Sequence, residues 1–215
     1  MPLYFLLHDA ARFHEALRPA LAEAWRRRSF EPCRALCSAL APAAVGFAER
    51  YHTGHDEPLL AQVARGAVPF DRDLWRLLVG EALLYGAASV PEILTAPDTL
   101  ARLVSPGQDV RPSRTDFAPI HQAHFGTHVL VFGGGFYRPD AAGWNDAANV
   151  ARLADYLATI DPSLWTTAGL AGLREFADED ERADELEFAR EVFPPLRELY
   201  RTARDAEQVV VCELL

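Results

Sequence analysis

The 215-residue chain carries 31 aspartates and glutamates against 21 arginines and no lysine, for a net charge of −10. Such an acidic surface repels phosphate backbones, so nucleic acid is excluded as the expected partner. With 50% hydrophobic and 24% charged residues the composition is globular, and the longest apolar runs, such as Leu77 to Tyr85, are too short to span a bilayer.

In chain order, Pro2 to Leu7 reads as a short buried strand, apolar and aromatic-containing, ended by His8-Asp9. Asp9 caps a helix through Phe13 and Leu17, and Pro19 starts or kinks the next turn towards Trp25. Pro32 opens a further helix through Leu36 and Leu40, broken at Pro42, that continues to Tyr51 and stops at Gly54. Asp56-Glu57-Pro58 begins a short helix ending at Gly66. Asp71 caps a helix over Arg72 to Tyr85 whose apolar residues leave almost no polar face, which places it in the core. Within it Glu81 is either a buried carboxylate needing a partner or the one solvent edge.

Another short helix follows Pro97 with Leu100 and Leu103, and the Pro-, Gly- and charge-rich stretch Ser105 to Thr115 reads as a loop. Thr127 to Phe132 is a central strand, ended by Gly133-Gly134-Gly135. Asn145 or Asp146 caps a helix carrying Val150, Leu153, Leu157 and Ile160 at helical spacing. Leu186, Ala189, Phe193, Leu196 and Tyr200 form an amphipathic stripe, bent at Pro194-Pro195, and Gln208 to Leu214 closes the chain with a strand signal. A lone strand cannot satisfy its backbone groups, so the N-terminal, central and C-terminal strands are expected to meet in one small sheet. The fold class is α+β, predominantly helical, with a sheet of about three strands, and residues 1–215 form one domain without repeats or linkers.

Seven histidines supply the most suggestive pattern. His121, His124 and His128 lie at i, i+3 and i+7, and His52 and His55 precede Asp56-Glu57. Neutral imidazoles with a carboxylate make an open site for a divalent metal such as zinc. Gly126 interrupts the series, however, ending the helix and moving His128 onto the following strand, and the spacing is not HExxH. The triple glycine follows a strand as a phosphate loop does, but no Lys-Ser/Thr follows, so a tight turn or bulge is favoured. Cys33, Cys37 and Cys212 form no CxxC pair or disulfide framework and read as small buried hydrophobes. No GxSxG elbow is present. The N-terminus lacks the basic segment and cleavage site of a secretory signal, which makes a cytoplasmic location the expectation.

Residues 174–215 concentrate the charge: thirteen acids against six arginines, −7 of the total −10. The run Asp178, Glu179, Asp180, Glu181, Asp184, Glu185 and Glu187 is a favourable, solvated helix start and, read more sharply, a docking face for a partner with a basic surface.

Thr53-Gly54 and the following Asp56-Glu57-Pro58-Leu59-Leu60-Ala61-Gln62-Val63-Ala64-Arg65-Gly66 resemble the TG…DPL…G segment of the bacterial YfbM-like proteins of unknown function. The end is similar too: an acidic helix, then Phe193…Leu196-Arg197-Glu198-Leu199-Tyr200-Arg201-Thr202-Ala203 and a valine-rich strand. The likeness departs around Trp75 and across 105–145, and it implies a compact α+β domain without supplying an activity. The leading functional expectation is therefore a non-enzymatic, cofactor-free interaction or immunity/accessory-type module acting through its acidic surface. The alternative is a metal-dependent, hydrolase-like enzyme using His52, His55, His121, His124 and His128.

Overall fold

The computed structural model describes residues 2–7, 15–16, 18–27, 29, 31–32, 35, 87–89, 91, 93–107, 109–129, 131–132, 135–136, 142–173, 175–176 and 178–214. The expected helices between 36 and 86, and with them Glu81, His52 and His55, lie outside these residues, as do Cys33 and Cys37.

The described elements are β1 (Pro2–Leu7), α1 (Arg18–Arg27), β2 (Ala87–Ser89), α2 (Pro97–Val104), α3 (Pro119–Phe125), β3 (His128–Val129), β4 (Val131–Phe132), β5 (Gly135–Phe136), β6 (Ala142–Asn145), α4 (Ala147–Ala158), α5 (Glu179–Asp205) and β7 (Val209–Leu214). The fold class is α+β with helices dominant, and the N-terminal, central and C-terminal strand signals all contribute to the sheet. By its internal contacts the chain falls into two compact units, one of Met1–Tyr4, Pro91–Val129 and Asp140–Leu215, the other of Phe5–Val90 and Leu130–Pro139.

In the first unit β7 lies between β1 and β6, and β3 follows β6. β6 runs antiparallel to both its neighbours, with Trp144 opposite Val211 on one side and opposite His128 on the other. Ala142–Asn145 has no alternating pattern to announce a strand; it is one because both edges of its backbone find partners. β7 is buried throughout Val209 to Glu213, as its valine run predicts for a strand covered on both faces. α4 and α5 pack together beside this sheet. Asp146 caps α4 by accepting the Asn149 amide at 2.8 Å, and Val150, Leu153, Ala154 and Leu157 make its buried face.

α5 opens with a capping box: Asp178 accepts the Glu181 amide, and Glu181 reaches back to the Asp178 amide. Its expected stripe of Leu186, Ala189, Phe193, Leu196 and Tyr200 is buried, joined by Val192, Leu199 and Ala203. The helix continues through Pro194-Pro195. Both prolines are exposed, as are Arg190 and Glu191, whose carbonyls they leave without amide donors, while Phe193 and Leu196 hold the flanking turns in the core.

In the second unit Leu6 and Leu7 of β1 pair antiparallel with β2, and α1 lies against β4. β4 pairs antiparallel with β5, placing Phe132 opposite Gly135. The single central strand expected over Thr127 to Phe132 is thus divided: β3 satisfies its backbone on β6, whereas β4 turns to β5.

Candidate functional site

α3 organises the polar residues of the first unit. Pro119 sits in its first turn, where a missing amide costs nothing, and Gly126 ends it with φ +75. The Arg114 guanidinium completes the C-terminus, its Nη1 donating to the carbonyls of Phe125 at 3.0 Å and Gly126 at 2.9 Å. That ending aims His121 and His124 inward and puts His128 on β3, as the glycine predicts.

His124 is buried, with Nδ1 2.7 Å from the Tyr4 hydroxyl. Burial, seconded by the nearby His121, lowers its pKa to about 3. His121 is also buried, stacked on Phe117 at 5.7 Å; burial lowers its pKa, opposed by the Asp109 and Val110 backbone and by the charges of Asp109 and Asp98. Both rings are therefore neutral near pH 7.

Behind them lies a hydrogen-bonded core. Asn145, fully buried, accepts from the Thr127 amide at 2.8 Å and the Thr127 hydroxyl at 2.7 Å, and donates to Gln122 O and to the Tyr200 hydroxyl. The Tyr200 hydroxyl in turn donates to Ala123 O at 2.8 Å. Cys212 packs against the same carbonyl, its thiol pushed up to about 12 by burial. This arrangement ties α3, β6 and α5 together and serves packing. Tyr200→Phe is expected to cost about 1–3 kcal/mol, because Ala123 O loses its hydroxyl donor and keeps only the weak Cys212 thiol, and Asn145 loses one of its acceptors. A shift in urea midpoint at unchanged slope measures it.

His128 stands apart from the other two. Its ring lies 4.6 Å from Trp144, and Nε2 is 3.2 Å from Asp146 Oδ2 and 3.2 Å from Asn149 Nδ2. Arg152 extends the row, donating to Asn149 Oδ1 and Gln122 Oε1. The i, i+3, i+7 series therefore does not converge: His128 faces α4 and its carboxylate cap, whereas His121 and His124 point into the core. Among the described residues no group of three His, Cys, Asp or Glu could hold a metal ion.

The seven acids expected to form a docking face divide by role. Asp178 and Glu181 make the capping box, Glu179 accepts from Thr167 and Arg182, and Glu185 is half-buried, accepting from the Thr99 hydroxyl. Asp180 and Asp184 are exposed and make no hydrogen bond or ion pair with the described residues, and the same holds for Glu187 and Glu191 further along. Spaced i, i+4, i+7 and i+11, these four share one face of α5, opposite the buried one. Glu191 was legible from that spacing and falls outside the expected set.

Glu185 also lines a cavity of about 740 Å³ bounded by the start of α2, the segment 111–117 and Glu175-Phe176. Among the described residues, no helix is long and apolar enough to cross a membrane. No family model matches the chain, and no curated protein or solved structure matches it either.

Proposed function

We propose that the protein is a non-catalytic interaction module of the immunity or accessory type, working in the cytoplasm and docking a basic protein partner on the outer face of α5. The observation that supports this is the row Asp180, Asp184, Glu187 and Glu191: four exposed carboxylates, without cation partners among the described residues, over about 16 Å of helix. α5 itself is anchored by eight buried side chains and a capping box, so the row is presented on a rigid support. A partner with arginines or lysines at matching spacing gains charge complementarity there, with fast, salt-sensitive association.

The test is affinity capture from the source cytoplasm, followed by binding measurements on the recovered partner. Asp184→Arg/Glu187→Arg is expected to weaken association by at least about tenfold while leaving the helical circular dichroism unchanged, and added salt should weaken the wild-type complex. Recovery of no partner, or equal binding by the charge-reversed protein, sinks the reading.

A further inference from the structure

We infer that the cavity at the start of α2 is a binding site for an organic cation, a guanidinium or ammonium group on an apolar stem. This site stands apart from the outer face of α5 and does not depend on it.

At about 740 Å³ the space is of small-molecule size, and Phe117, Phe125 and Phe176 contribute aromatic walls. Three carboxylates, Asp98, Glu175 and Glu185, and two guanidiniums, Arg111 and Arg114, also line it, one net negative charge among the described residues. The state of those groups decides the sign of the ligand. Arg111 is bound to Asp98, its Nε donating to Oδ2 at 2.9 Å and its Nη2 to the same oxygen. Arg114 has Nη1 on the Phe125 and Gly126 carbonyls, with its guanidinium 5.3 Å over the Phe117 ring. With Arg111 engaged by a carboxylate and Arg114 by two carbonyls and a ring face, fewer of their N–H groups remain for an anion.

The carboxylates offer more. Glu185 Oε1 accepts the Thr99 hydroxyl, while Oε2 takes no hydrogen bond from any described residue. Thr99 thereby fixes the carboxylate without neutralising it. Glu175 makes no hydrogen bond or ion pair with the described residues, and its charge acts at longer range on Arg111, which is bonded to Asp98. Two carboxylates with free oxygens beside aromatic rings complement a cation that is only partly hydrated: the carboxylate takes its N–H groups and the rings take its face and stem. The overall charge of −10 raises the local concentration of any such cation.

The probes are N-acetyl-L-arginine amide, N-acetyl-L-norleucine amide as the uncharged counterpart, and a short neutral peptide with one central arginine, each titrated calorimetrically into the full chain. Saturable binding of the arginine amide without binding of the norleucine amide is expected. Tighter binding of the peptide would identify a protein side chain as the source of the cation; equal binding would identify a free small cation.

Glu185→Gln keeps an acceptor for Thr99 and removes the charge, and should weaken the arginine amide by at least about tenfold. The exposed Glu175→Gln gives a smaller loss in the same direction and serves if the first variant does not fold. Asp184→Arg/Glu187→Arg, on the other face of α5, should bind the arginine amide as wild type does, so failure of the docking reading and failure of this one are separately visible. Absence of saturable binding at millimolar arginine amide overturns the inference, as does equal affinity in both Gln variants.

Discussion

Gly143→Ala is expected to lower stability by about 2–4 kcal/mol. A Cβ on residue 143 would lie 2.0 Å from Phe125 O, 2.8 Å from His128 O and 3.0 Å from Arg114 Nη1. The first two are backbone atoms, so no side-chain rotation relieves the overlap. Gly126 meets the same boundary from the other side, where a Cβ would fall 2.2 Å from Trp144 N, and its φ of +75 adds a conformational penalty for any L side chain. The two glycines let the end of α3 touch β6 backbone to backbone. Separating the elements would disturb the Arg114 bonds to Phe125 and Gly126 and the Asn145 bonds to Gln122 and Thr127. Thermal and urea unfolding of Gly143→Ala measure the loss; Gly172→Ala is a useful comparison, because a Cβ there meets only the Arg102 guanidinium, although its φ of +99 is also strained. A Gly143→Ala midpoint at or above wild type would contradict this account of the α3–β6 contact.

The uneven legibility of the fold has local causes. α5 was readable because the stripe from Leu186 to Tyr200 repeats over four turns, and Asp178 with Glu181 supplies the cap. α4 was readable from Asp146 and Val150, Leu153 and Leu157 for the same reason. β6 was not, since Trp144 is the one strand-favouring residue in Gly143-Trp144-Asn145 and no alternation marks it, so it becomes a strand through what flanks it. At the candidate sites, sequence correctly separated His128 from the helix through Gly126, but the depth at which His121 and His124 sit depends on Tyr4, 120 residues away from His124 in sequence. The acidic run was visible as composition; its division into caps, a cavity-lining Glu185 and an outward row needed the helix phase and the partners Thr99, Thr167 and Arg182. The cavity itself is assembled from segments between Thr95 and Glu185 and left no sequence motif.

Stability should fall as the solution is acidified from pH 7.5 to 5, and His124 should account for about 2 kcal/mol of that fall. Folded, its imidazole resists protonation down to about 3, because burial removes the water that would solvate the cation and His121 adds a second ring beside it; unfolded, it titrates at its ordinary 6.5. Above 6.5 both states leave the ring neutral and stability is complete. Below 6.5 the unfolded chain binds a proton that the folded chain refuses, so stability drops by about 1.4 kcal/mol per pH unit until the folded ring also protonates near 3. His121, lowered by the same burial, acts with the same sign. Carboxylates whose pKa is lowered on folding, among them Asp146 and Glu198, also lose stability in acid, but from ordinary values of 3.8 and 4.5, and to the same extent in a histidine variant. His124→Phe isolates the effect. At pH 7.5 it should be less stable than wild type, since the Tyr4 hydroxyl loses its partner in the core. By pH 5 the wild type should have given up about 2 kcal/mol of that advantage, so the two stability curves converge. Parallel curves from urea unfolding at pH 7.5, 6.5, 5.5 and 5 would show that His124 is not a buried neutral ring in the folded protein.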